Sequence, residues 1–112
     1  MELTTLYSIL NTALPNKVFY GTNAYDNEDN VSMPFIVYQE VTKRPLAFKD
    51  DKPLIYKSSV QITLVTKSKD VELESKLEKA LLDNSLVFSL LSEFRNEDKS
   101  LNRVYEIYME EI

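Results

Sequence analysis

The sequence has no cysteine and no histidine. Without Cys there is no disulfide framework, no thiolate nucleophile and no thiolate-held metal. Without His there is no imidazole base and no Cys₂His₂ or HExxH zinc site. Gly21 is the single glycine, which excludes GxGxxG and Walker-A loops, because both need several glycines to bring backbone against phosphate. No apolar run approaches the roughly 20 residues of a membrane span. The start, Met1-Glu2-Leu3-Thr4, has neither the basic nor the long apolar region of a secretory signal. Positive charge is also short: 13 Lys+Arg stand against 18 Asp+Glu, a net −5. That balance repels nucleic-acid phosphates and argues against sequence-specific binding to DNA or RNA. What is present fits one globular domain: 112 residues, 44% apolar and 28% charged. A chain this short leaves a large share of its surface outside any core, so part of the apolar surface is expected to serve a partner. The expectation is a protein that works by contact, is not an enzyme, and needs neither cofactor nor metal.

Periodicity sets out seven elements. Leu3, Leu6, Tyr7, Leu10 and Leu14 fall on one helical face, and Pro15 ends that helix. Lys17-Val18-Phe19-Tyr20 is a short β-rich run, read as an edge strand and stopped by Gly21. Phe35, Val37 and Val41 alternate with Ile36, Tyr38 and Glu40, so both faces carry apolar groups, as in a central strand. Leu54, Tyr56, Val60, Ile62 and Leu64 share a parity opposite Lys57, Ser59, Gln61 and Thr63. Between these strands, residues 44–53 hold two prolines and a Lys49-Asp50-Asp51-Lys52 tip, so 35–66 reads as one long hairpin. A second helix places Val71, Leu73, Leu77, Ala80 and Leu81 inward. Glu72, Glu74, Lys76, Glu78 and Lys79 form its solvated face, with Ser68 or Asp70 as cap. Residues 86–94 fit helix or strand. A strand is preferred, because Asn96-Glu97-Asp98-Lys99 then turns into an alternating strand through Tyr105, Ile107 and Met109. The order α–β–β–β–α–β–β predicts an α+β fold: a mostly antiparallel sheet with two helices on one face.

The hairpin poses a question of length. A straight strand from Leu54 to Thr66 would run about 43 Å at about 3.3 Å per residue, against a radius of gyration of about 13 Å for a domain this size. Either it bends and folds Leu46 and Phe48 back onto the core, or it projects as an arm that exposes them. In the second case the tip residues Arg44, Leu46, Phe48, Lys49, Asp50, Asp51 and Lys52 are the candidate contact site.

Residues 21–34 form a polar, acidic loop. Tyr25, Asp26, Glu28 and Asp29 are candidates for a solvated, partner-contacting or pore-facing loop. Asp26, Glu28 and Asn30 start like a calcium loop, but Val31 stands where the sharp turn needs Gly and no Glu closes the loop. Carboxylate pairs at Asp50/Asp51, Asp26/Glu28 and Glu106/Glu110 sit on turns or polar strand faces, where nothing raises a pKa toward catalysis. Ser58-Ser59 has only Lys57 as a neighbouring base. Tyr25, Tyr38 and Tyr108 are candidates for a subunit interface or for core lining. Lys43, Arg44, Lys49 and Lys52 give the hairpin a weak basic flank suited to an acidic neighbour.

The whole chain resembles a known group in the order of its segments. The short first helix is followed by Pro34-Phe35-Ile36-Val37-Tyr38, a long hairpin returning through Tyr56 and Val60–Thr66, Lys67-Ser68-Lys69-Asp70 leading into helix Val71–Leu82, and the closing strand Val104-Tyr105-Glu106-Ile107. This is similar to the small tail-terminator or head–tail joining (tail completion) proteins of long-tailed phages and prophages. The resemblance implies a subunit made in the host bacterial cytoplasm that assembles with itself into a ring, commonly a hexamer, at the tail–head junction of the virion. There it would end the tail tube and dock the head, with tail tube protein and head-completion proteins as partners and acidic loops repelling DNA in the lumen. The alternative from the residues alone is a non-viral acidic adaptor that binds another protein.

Overall fold

The computed structural model describes residues 1–21 and 32–111. Its elements are α1 (Leu3–Ala13), β1 (Val18–Tyr20), β2 (Phe35–Lys49), β3 (Lys52–Thr66), α2 (Val71–Asp83), β4 (Phe88–Arg95) and β5 (Leu101–Glu111). They make the α+β fold that the element order predicts. The strands form one sheet in the order β1-β2-β3-β5-β4. β1 runs parallel to β2 and every other pair is antiparallel. The parallel pair is compatible with the long link 21–34, because parallel neighbours need a crossover rather than a tight turn.

One face of the sheet carries the core. Val18, Ile36, Tyr38, Val60, Ile62, Leu64, Tyr105, Ile107 and Met109 meet Leu6, Ile9, Leu10 and Ala13 of α1 and Leu77 and Leu81 of α2. Each fully buried aliphatic side chain stabilises the fold by about 1.5–3 kcal/mol. On the opposite face a smaller apolar cluster buries Phe35 and Val65, with Phe19, Met33 and Val37 packed around them. Tyr38 is therefore core lining and not interface.

The helices are fixed in different ways. α1 has no side-chain cap at Glu2, so its buried stripe holds it. That stripe turns past the expected face: Ile9 and Ala13 are buried while Tyr7 is exposed. α2 is capped by Asp70, whose carboxylate accepts from the Leu73 amide at 3.1 Å. It ends in a Schellman motif, with the Leu86 amide donating to Leu81 (2.9 Å) and Ser85 to Leu82 (3.0 Å). Ser85 holds the left-handed position of that motif at φ 62°, and Leu86 and Leu81 pack together in the core. Two expectations for α2 are corrected: Val71 is exposed, and Glu74 is buried at 5% exposure.

Candidate functional site

The candidate site is the far half of the β2–β3 hairpin. The two strands pair from Phe35↔Val65 to Lys49↔Lys52, but their neighbours stop short. β1 accompanies β2 only from Ile36 to Tyr38, and β5 accompanies β3 only from Tyr56 to Thr66. Residues 45–55 are thus a two-stranded ribbon with no strand on either side among the described residues. The molecule measures 52 × 28 × 23 Å, and the alternative in which Leu46 and Phe48 return to the core is overturned. Phe48 is 61% exposed, and Leu46 and Leu54 are about half exposed. A lone ribbon is marginal in water; this one persists as the continuation of two core strands.

The tip is a two-residue turn. Asp50 and Asp51 both have positive φ, 52° and 64°, as a type I′ hairpin requires. Aspartate tolerates this region better than other side chains with a Cβ. Along the ribbon the register slips three times, between Glu40 and Thr42, between Pro45 and Ala47, and between Ala47 and Phe48. The extra residues are Val41 and Leu46 on β2 and Leu54 on β3, and all three are exposed aliphatics. Bulges re-aim side chains and block strand addition at an edge, and Pro45 removes one edge donor as well. The arm therefore presents side chains rather than open backbone edges to its surroundings.

At the arm's base a groove of about 490 Å³ opens beside Val41, Pro45, Leu46 and Tyr108, with Arg44 and Lys57 on its walls. The Lys57 ammonium lies over the Tyr108 ring, 4.6 Å from its centroid. The Tyr108 hydroxyl donates to Glu106 at 2.9 Å, a bond that raises the pKa of the hydroxyl. Thr42 and Ser59 share a hydrogen bond of 2.8 Å across the strands, and Ser58 is buried. The predicted tip residues Arg44, Leu46, Phe48, Lys49, Asp50, Asp51 and Lys52 are all exposed on this arm. Tyr25, Asp26, Glu28 and Asp29, and the segment compared with a calcium loop, lie outside the described residues.

The basic flank sits at the arm's base, on Lys43, Arg44 and Lys57, while at the tip Lys49 and Lys52 are balanced by Asp50 and Asp51, so the ribbon 45–55 is net neutral.

A second cluster lies between α2 and the sheet. Arg103 of β5 faces the helices; its Nε donates to the Tyr105 hydroxyl at 2.6 Å, and its terminal nitrogens reach Glu93 (3.1 Å) and Glu78 (3.4 Å). Tyr105 in turn donates to Glu78 at 2.8 Å. Lys69 joins Glu74 and Glu93, both at 2.8 Å, and Arg103 Nε stands 3.5 Å from Glu74. Burial opposes the charge on Arg103, but its bonds to Tyr105 and the carboxylates outweigh that and raise its pKa. Burial raises the Tyr105 hydroxyl. The hydrogen bonds from Lys69 and Arg103 outweigh a slight desolvation and hold the Glu93 carboxyl below its usual range. The cluster ties edge strand β4 to α2 and the core, and it was missed as part of a solvated helix face. The signal was in the sequence: Arg103 has the parity of Tyr105 and Ile107, and Glu74 precedes Leu77 and Leu81 by three and seven residues, so both charges fall on buried faces.

No protein-family model matches the chain, and no curated protein matches it.

Proposed function

We propose that this protein is a structural component of a phage or prophage virion, a tail-terminator or head–tail joining subunit. Copies of it associate into a ring that ends the tail tube and docks the head. The observation that carries the reading is the bulged ribbon, which holds Leu46, Phe48 and Leu54 in solvent beyond the body. Exposed apolar side chains on a stiff projection are a cost to a lone monomer and a use to an assembling one. The mechanism is geometric: contacts between unlike surfaces close into a ring once the rotation per copy divides the circle, and closure leaves no lateral site for further growth.

The test is the native mass of the full chain beside a chain lacking residues 46–52. The full chain is expected to form a discrete ring. The shortened chain is expected to keep its helical and strand signal, stay monomeric and fail to join heads to tails. A full chain that stays monomeric at high concentration overturns the reading and favours the acidic adaptor.

A further inference from the structure

β4 is a poorly anchored edge of the sheet. It pairs with β5 alone, and every residue of it except Phe88 is exposed. β1, at the other edge, is shorter, yet its Val18 is buried in the core. The β4–β5 register slips between Leu90 and Ser92, so the ladder is interrupted at Leu91. Low burial, a single neighbouring strand and an interrupted ladder describe a segment that opens before the rest of a fold.

Two side chains anchor the strand. Phe88, at its start, meets Tyr105 edge to face with ring centroids 5.3 Å apart and packs against the core. Past the bulge, Glu93 accepts from Lys69 at 2.8 Å and from Arg103 at 3.1 Å. Among the described residues, no other β4 side chain beyond Leu91 is hydrogen-bonded outside the β4–β5 hairpin.

The surroundings allow this anchor to let go. Glu93 faces Lys69 of the β3–α2 link and Arg103 of β5, and behind these stand Glu74 and Glu78 of α2 and the Tyr105 hydroxyl. Three carboxylates thus share two cations. Without Glu93, Lys69 keeps Glu74, and Arg103 keeps Glu74, Glu78 and Tyr105, so release strands no cation. The Glu93 side chain is 30% exposed against 7% for Glu74, so its freed carboxyl meets water. Bonds from Lys69 and then Arg103 hold the Glu93 carboxyl below its ordinary range; it is gripped when charged and loosened when protonated. Asp98 also sits low, but its bonds run to Ser100 inside its own turn and do not join β4 to the body. β5 remains paired with β3 from Leu101 to Glu111 whatever β4 does.

We propose that β4 is a detachable edge strand latched by Glu93: when that carboxylate is neutralised, residues 91–95 leave β5 and bare its outer backbone edge while the rest of the fold stands. This does not depend on the reading of the chain as a virion subunit.

The test is native-state hydrogen exchange on the full chain, read as protection factors to remove the intrinsic pH dependence of exchange. Near about pH 7, the amides of 91–95 that bond to β5 are expected to exchange through a local opening. They should be at least about tenfold less protected than those of β3 and little affected by low urea. Their protection should fall further as pH drops below the ordinary carboxylate range, toward about pH 3. Glu93→Gln is expected to lower protection in 91–95 by about fivefold at neutral pH, the upper range for a partly exposed ion pair, and to remove the acid step there. Glu78→Gln is the contrast. Glu78 keeps its contacts to Arg103 and Tyr105 when β4 opens, so this variant should leave protection in 91–95 unchanged while easing global unfolding, which β3 reports. Amides of 91–95 as protected as those of β3 in the parent chain, with the same urea dependence, overturn the detachable strand. An acid step that survives Glu93→Gln, or a Glu78→Gln chain that loses as much protection in 91–95, overturns the latch.

Discussion

Replacing Arg103 with methionine is expected to be among the most damaging single changes on the sheet. The guanidinium is largely sheltered, at 16% side-chain exposure, and Glu74 beside it is at 7%. Methionine preserves much of the apolar stem but withdraws the 2.6 Å bond to Tyr105 and the contacts to Glu74, Glu78 and Glu93. Breaking one side of a buried ion pair costs about 3–5 kcal/mol. Glu74 keeps Lys69 at 2.8 Å, which places the loss at the low end, about 3 kcal/mol. For a chain of this length that lowers the melting temperature by about 12 °C and the urea midpoint by about 2 M at an ordinary slope. The assay is urea unfolding followed by circular dichroism, extended to a double-mutant cycle with Glu74→Met. Removing both charges leaves an apolar pair where a buried carboxylate held by Lys69 alone would have stood, so the double variant is expected to recover at least about 1.5 kcal/mol relative to the sum of the singles. A single-variant loss under about 1 kcal/mol, or strictly additive losses, would refute the coupled cluster.

Ser85→Gly is expected to stabilise the fold by about 1 kcal/mol, read as a higher urea midpoint, because glycine occupies the left-handed position without a Cβ penalty. Acid is expected to weaken the fold. The Glu93 and Asp98 carboxyls sit below their ordinary range, so the unfolded chain takes up protons first as pH falls; stability is full above the ordinary carboxylate range and declines down through the lowered values. Unfolding midpoints between pH 7 and pH 2 check this, and Asp98→Asn should flatten part of the decline. Alkali acts in the opposite direction. Burial raises Tyr105 above its ordinary 10.0, so the folded state keeps a proton that the unfolded chain releases, and stability is intact below that value and lost above it. Tyr105→Phe should flatten this alkaline limb.

Much of the architecture is legible in the residues because alternation and helical periodicity report burial directly. Val60, Ile62 and Leu64, and Tyr105, Ile107 and Met109, show their parity openly, and the strand chosen over a helix at 86–94 follows from the turn residues after it. The turn of the α1 stripe toward Ile9 and Ala13 was harder to see, since Tyr7 offers as large an apolar body as either. Glu74 was read as surface because charge normally marks solvent; its burial depends on Arg103, nearly thirty residues away in sequence, which no local pattern records. The length arithmetic left two fates open for the hairpin. The bulges that decide how its side chains point have no signature in alternation, because each one breaks it.

The unbroken passage of β2 and β3 from interior to tip also has a mechanical consequence. A pull on the tip along the strand direction is borne in shear by the β3–β5 ladder, from Tyr56 opposite Glu111 to Thr66 opposite Leu101. Those hydrogen bonds lie across the direction of pull and must yield together rather than unzip one by one. Anything gripping the ribbon would therefore drag on the middle of the molecule, and a chain of such subunits would resist stretching well beyond what the modest size of each one suggests.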